Sequence, residues 1–217
     1  MAKIKQGILG GFSGKVAGVV GTSWKGRAVM KSQPLSVANP RTEAQQEQRG
    51  KFSKIAELAS AVLTTFVQPV ENPISGNISG YNLFVKDNKA AFNSEGVIQP
   101  ASFMCGGGKI INLEGDKSLV DGGGESLLLA WENSAGLSAI RKTDKVYAVA
   151  VGIDNDCIFV GSGTHTRNSQ SLTLEYLSGE DDPEVNDKYA VIYACVSADG
   201  REVSVRTTSL ELTASSI

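Results

Sequence analysis

Between residues 52 and 66 apolar side chains recur at helical spacing. Phe52, Ile55, Ala59, Val62 and Phe66 fall on one stripe, while Gln45, Gln46, Gln48, Lys51 and Lys54 lie largely elsewhere. The pattern predicts an amphipathic helix packed on another surface. Its start is marked by Asn39-Pro40-Arg41-Thr42-Glu43-Ala44-Gln45: Pro40 suits a first turn, and Thr42 with Gln45 fits a capping box, so Asn39 or Thr42 is the cap. Pro69 and Pro73 end it. A second helix is predicted from Ser79 or Gly80 to Phe92, with Tyr81, Phe84, Val85, Asn88 and Phe92 on one face. The two helices are expected to form an antiparallel pair, and Asn88 inside the apolar face needs a hydrogen-bond partner.

After Glu95 the period falls to two. Candidate strands cover 126–131, 145–151, 157–161, 171–176, 188–197, 202–207 and 209–213, with turns at Asp154-Asn155-Asp156, Ser178-Gly179-Glu180 and Asp199-Gly200. Tyr189, Val191, Tyr193 and Cys195 alternate with Ala190, Ile192, Ala194 and Val196, so both faces of that strand are apolar, as in a central strand. Seven short strands of this kind predict an antiparallel β-sandwich of immunoglobulin or fibronectin-like architecture, without the disulfide of antibody domains. Pro100, Gly106-Gly107-Gly108 and Gly122-Gly123-Gly124 punctuate the stretch before it, which contains one short candidate strand at 109–113. At the other end, seven glycines within the first 34 residues separate the β-prone pieces Ile8-Leu9, Val16 to Val20 and Ala28 to Met30. The expected class is therefore α+β: a Gly-rich basic β arm or small sheet (1–38), the helical pair (39–95), a linker with a short strand (96–124) and the sandwich (125–217).

Charge changes this picture. Residues 1–54 hold ten of the 21 Lys and Arg and only Glu43 and Glu47 as acids, about +8, whereas the remainder sums to about −10. Such asymmetry predicts that one part meets an acidic partner: nucleic acid, a membrane surface, or the acidic part of another copy of the chain, with other assembly subunits as further partners. The candidate interaction residues are Lys3, Lys5, Lys15, Trp24, Lys25, Arg27, Lys31, Arg41 and Arg49, with Trp24 able to stack on a base or pack on a neighbour.

Reactive chemistry is thin. Gly14-Lys15 lacks the upstream glycine and following Ser or Thr of a phosphate loop, having Leu9 and Val16 there. His165 stands in Gly163-Thr164-His165-Thr166-Arg167 without a nucleophile or acid at triad spacing. Asp154 with Asp156, and Glu180-Asp181-Asp182 with Glu184, lack the spacing of a calcium loop and read as solvated turns. Cys105, Cys157 and Cys195 are scattered and fit neither a disulfide framework nor a zinc site. No catalytic residue, metal or cofactor is expected, and the chain is not expected to be an enzyme. No apolar run is long enough to span a membrane, and the N-terminus does not read as a signal peptide; synthesis in the cytoplasm is expected, with a released particle left open.

Several segments taken together carry a resemblance. Gly10-Gly11-Phe12-Ser13-Gly14-Lys15-Val16, Trp24-Lys25-Gly26, Asn39 to Gln45, Gln48-Arg49 with Phe52, and Gly80-Tyr81-Asn82 followed by Phe84-Val85 resemble a Bacteroidota family of similar length that forms a domain of unknown function. The helix and the following Gly80-x-Asn82-x-Phe84 are similar to uncharacterised proteins near phage structural genes, which implies a virion, filament or assembly role. The resemblance is most specific over 7–92 and transfers no catalytic residue. The expected function is a non-enzymatic structural protein that self-associates through its N-terminal arm. The alternatives are a nucleic-acid binder using the same basic segment and a surface- or carbohydrate-binding module.

Overall fold

A computed structural model describes residues 3–4, 11–36, 41–122, 125–132, 138–179 and 187–215. The chain divides into two compact units, Met1–Thr42 and Glu43–Ile217. The first is a four-stranded antiparallel sheet in chain order: β1 (Lys3–Ile4), β2 (Phe12–Val16), β3 (Val19–Trp24) and β4 (Arg27–Ser32). β3 and β4 meet through the two-residue turn Lys25-Gly26, whose φ angles of 48° and 80° are both positive. That conformation matches the twist of the flanking strands, and glycine adopts the second angle without strain. Among the described residues of this unit only Gly21 is buried, so the sheet has no side-chain core there.

The second unit opens with α1 (Glu43–Ala61), starting directly after Thr42; Asn39 and Pro40 lie outside the described residues. Ile55, Ala59, Val62 and Phe66 are buried, whereas Phe52, the first member of the stripe, is 58% exposed. The chain does not stop at Pro69. It widens into a π turn (Leu63–Val67) and continues as α2 (Gln68–Glu71), then a 3-10 turn (Asn72–Ile74). Pro69 has no N–H to donate, and its ring would press on the carbonyl four residues back, so the wider turn ahead of it accommodates the break. α3 (Gly80–Asp87) is capped by Ser79, whose Oγ accepts from the Asn82 N–H at 3.3 Å. Asn88 finds its partners: Nδ2 donates to the carbonyls of Phe84 and Met104, and Oδ1 accepts from the Met104 N–H.

The remaining strands are β5 (Met104–Cys105), β6 (Lys117–Asp121), β7 (Ser126–Trp131), β8 (Lys145–Gly152), β9 (Ile158–Gly161), β10 (Ser171–Ser178), β11 (Lys188–Val196), β12 (Thr207–Thr208) and β13 (Leu210–Ser215). β5 and β12 form a small two-stranded sheet. The other seven close into a barrel in the order β10-β7-β6-β13-β11-β8-β9, with β9 pairing back onto β10. All pairs are antiparallel except β6 with β13. This overturns the expected β-sandwich. The alternation of one inward and one outward residue is common to both architectures, and what separates them is β6, which lies in the stretch taken for linker and joins β7 to β13, leaving no open edge. The expected strand at 109–113 reduces to a single bridge at Ile110, and that at 202–207 to bridges at Val203 and Ser204 and part of β12.

The expected antiparallel helical pair is also corrected. α1 and α3 touch each other, but they do not make a separate two-helix layer: with the π turn and α2 they place their apolar faces on the outer faces of β8 and β11. Two apolar clusters result. Inside the barrel Leu127, Leu129, Trp131, Phe159, Tyr189 and Val191 fill the lumen with their neighbours. Outside it Ile55, Val62, Phe66 and Phe84 meet Val149, Ala190, Ile192 and Ala194. The doubly apolar β11 is explained by this: Tyr189, Val191, Tyr193 and Cys195 point inward, and the alternate residues meet helices. No helix among the described residues is long and apolar enough to cross a membrane.

Candidate interaction surface

The register of the N-terminal sheet sorts its side chains. Val16 pairs with Val19 and Val19 with Ser32, Gly14 with Gly21 and Gly21 with Met30, so Phe12, Val16, Val19, Ala28 and Met30 share one face without a charge. Lys15 pairs with Val20 and Val20 with Lys31, while Trp24 pairs with Arg27, so the opposite face carries Lys15, Trp24, Arg27 and Lys31 with Thr22 and Val29. Gly21 is required for the neutral face, because a Cβ there would collide with the carbonyl oxygen and ring of Phe12.

The cationic face is exposed. Trp24 is 64% exposed at the end of β3, and the ammonium of Lys25, from the adjoining turn, lies 5.0 Å from its ring centroid, within cation–π range. Residues 1–42 contain seven Lys or Arg and no Asp or Glu, so no carboxylate in the unit neutralises this face. The structure thus brings together Lys15, Trp24, Lys25, Arg27 and Lys31. Lys3 is in β1 opposite Ser13. Lys5 lies outside the described residues. Arg41 is exposed just before α1, and Arg49 is exposed on the leading turns of α1, in the other unit.

The barrel unit holds perturbed groups in structural settings. Glu71 is 2% exposed; its Oε1 accepts from the Gly106 N–H at 3.1 Å, and burial, with Asp87 adding to it, pushes its pKa up to about 7 against the pull of Gly106 and Arg206. Arg206 bonds Asp87 and the Gly106 carbonyl beside it. Nothing in the sequence pattern marks Glu71, whose burial depends on a loop 35 residues away. Asp144, 1% exposed, is raised by burial against the pull of Arg141 and Arg167. Burial pushes the Cys105 and Cys195 thiols up, away from the reactive thiolate. His165 has Thr164 at 3.1 Å from Nδ1. Among the described residues no three His, Cys, Asp or Glu side chains come together as metal ligands.

Clefts on this unit are shallow. One, about 570 Å³, is lined by Thr64, Thr65 and Gln68 of the π turn and α2 with Tyr147, Ser162 and Thr164. Its lining offers hydroxyls and an amide as hydrogen-bonding groups. Two smaller clefts flank the Lys54–Asp156 ion pair.

Neither the curated proteins nor the solved structures give a match to this chain. The family match carries no activity, phage or virion role, so those implications of the resemblance gain no support from it. Matched over residues 11–208, the chain belongs to a family of unknown function, DUF6266.

Proposed function

We propose that this is a non-enzymatic structural protein that self-associates by docking the cationic face of its N-terminal sheet on the acidic barrel unit of a neighbouring copy. The observation that carries the reading is the collection of Lys15, Trp24, Arg27 and Lys31 on one exposed face of a unit that contains no acid. The barrel unit, residues 43–217, supplies the opposite sign: it contains all 23 Asp and Glu of the chain. A sheet with no side-chain core of its own also gains from being covered. The three cysteines are buried and none is in a disulfide, which suits synthesis in a reducing compartment.

Light scattering on the full chain tests the reading. The triple variant Lys15→Glu, Arg27→Glu, Lys31→Glu should be monomeric where the wild type is a larger species, and salt should dissociate the wild type. A wild type that remains monomeric at high concentration contradicts it. Trp24, exposed beside Lys25 and Arg27, supports one other reading, a nucleic-acid platform on the same face. Retention of the monomer on single-stranded DNA, falling steeply with salt, would favour that alternative.

A further inference from the structure

The two clefts beside Lys54 are one groove. Both are lined by Lys54, Phe92, Val151 and Asp156, and they measure about 180 and 190 Å³. The Lys54 Nζ lies 3.3 Å from Asp156 Oδ2, and this pair of half-exposed side chains is a strap across the middle. Beneath it the floor is apolar: Leu58 and Ala61 of α1, Phe92, Val151 and Ile158. The rim is acidic. Among the described lining residues Glu57, Glu95, Asp154 and Asp156 stand against a single cation, Lys54, whose charge Asp156 already meets.

An apolar floor with an acidic rim fits a segment that presents a large apolar side chain between cations. The β3–β4 hairpin tip, Trp24-Lys25-Gly26-Arg27, has that composition, and its two-residue turn makes it narrow. We infer that the groove between α1, the Phe92–Ile98 loop and the β8–β9 turn receives the Trp24–Arg27 hairpin tip of a second copy of this chain. The inference rests on the proposed self-association and names its acceptor. Trp24 covers the floor, and Lys25 and Arg27 meet Glu57, Glu95 and Asp154 on the rim. Because tip and groove are different surfaces, two copies that exchange tips reciprocally close into a two-fold dimer, and one-way docking adds copies head to tail into a ring or an open chain.

The test uses full-length variants and light scattering over a range of concentration. Asp154→Arg reverses an exposed rim charge, and Ala61→Trp fills the groove from an exposed helical position. Each is expected to weaken association roughly 10-fold or more while leaving the thermal midpoint unchanged, as is Trp24→Ser in the tip. An equimolar mixture of the Asp154→Arg and Arg27→Glu chains should recover association that neither shows alone, since each supplies the surface the other lacks. If both groove variants associate like the wild type while Arg27→Glu does not, the sheet docks elsewhere and only this inference is overturned. A wild type that stays monomeric to roughly 100 µM removes the proposed self-association as well.

Discussion

The Asn88 side chain grips the backbone of Met104 from both sides, donating from Nδ2 to its carbonyl oxygen at 2.9 Å and accepting its N–H on Oδ1 at 2.8 Å. A third bond, Nδ2 to the Phe84 carbonyl at 3.0 Å, ties the same amide to the end of α3. Asn88 is wholly buried, so removing it takes the partner from the N–H and carbonyl of the half-buried Met104 and from the Phe84 carbonyl. Asn88→Ala should lower stability by about 2–4 kcal/mol. Urea unfolding checks this as a shifted midpoint with an unchanged slope.

Glu71 gives stability a pH dependence of defined sign. Its folded pKa of about 7 exceeds the ordinary 4.5, so the folded chain keeps a proton that the unfolded chain has released. Its contribution is therefore fully present below pH 4.5 and is lost as pH rises toward 7, by about 3 kcal/mol at most. The groups facing it, Asp87, Arg206 and Cys105, remain in Glu71→Gln. That variant should flatten the slope between pH 4.5 and 7 and exceed the wild type in stability at pH 8. Unfolding free energies across this range decide it, and equal slopes for the two proteins would refute the assignment.

Gly21→Val probes the sheet independently of charge. The added Cβ would strike Phe12, so β2 and β3 cannot keep their register. Trypsin should then cleave at Lys15, Lys25, Arg27 and Lys31 at least about ten times faster, while the barrel, a separate compact unit, should hold its thermal midpoint within about 1 °C. The same variant should fail to self-associate although every cation is still present.

Local pattern carried much of this structure. β7 is legible to both ends as Ser126–Trp131 because Leu127, Leu129 and Trp131 alternate without interruption. Ile55, Ala59, Val62 and Phe66 announced their helix, but Phe52 continues the stripe in sequence and is exposed, since helical spacing does not say where the underlying surface stops. β6 has no such signal, because Leu119 and Val120 are the only apolar residues between Lys117 and Asp121 and its partner β13 is remote. Without β6 the strand set looks like a sandwich. The candidate surface divides in the same way: charge singles out Lys15, Arg27 and Lys31 and aromatic character Trp24, whereas their common face follows from cross-strand register, which counting cannot supply. The groove at Lys54 draws its lining from α1, the loop after α3 and the β8–β9 turn, a convergence with no local signature.

The parallel seam of the barrel has a kinetic consequence. Leu119 faces Ala214 across it, so closure joins stretches roughly 95 residues apart in the chain. The hairpins β6–β7 and β8–β9 can zip early, each from its own short connection, but none of them shuts the cylinder. The slow step is the search of β13 for the gap between β6 and β11, which sets a refolding time in the millisecond-to-second range rather than the microseconds of a helical bundle.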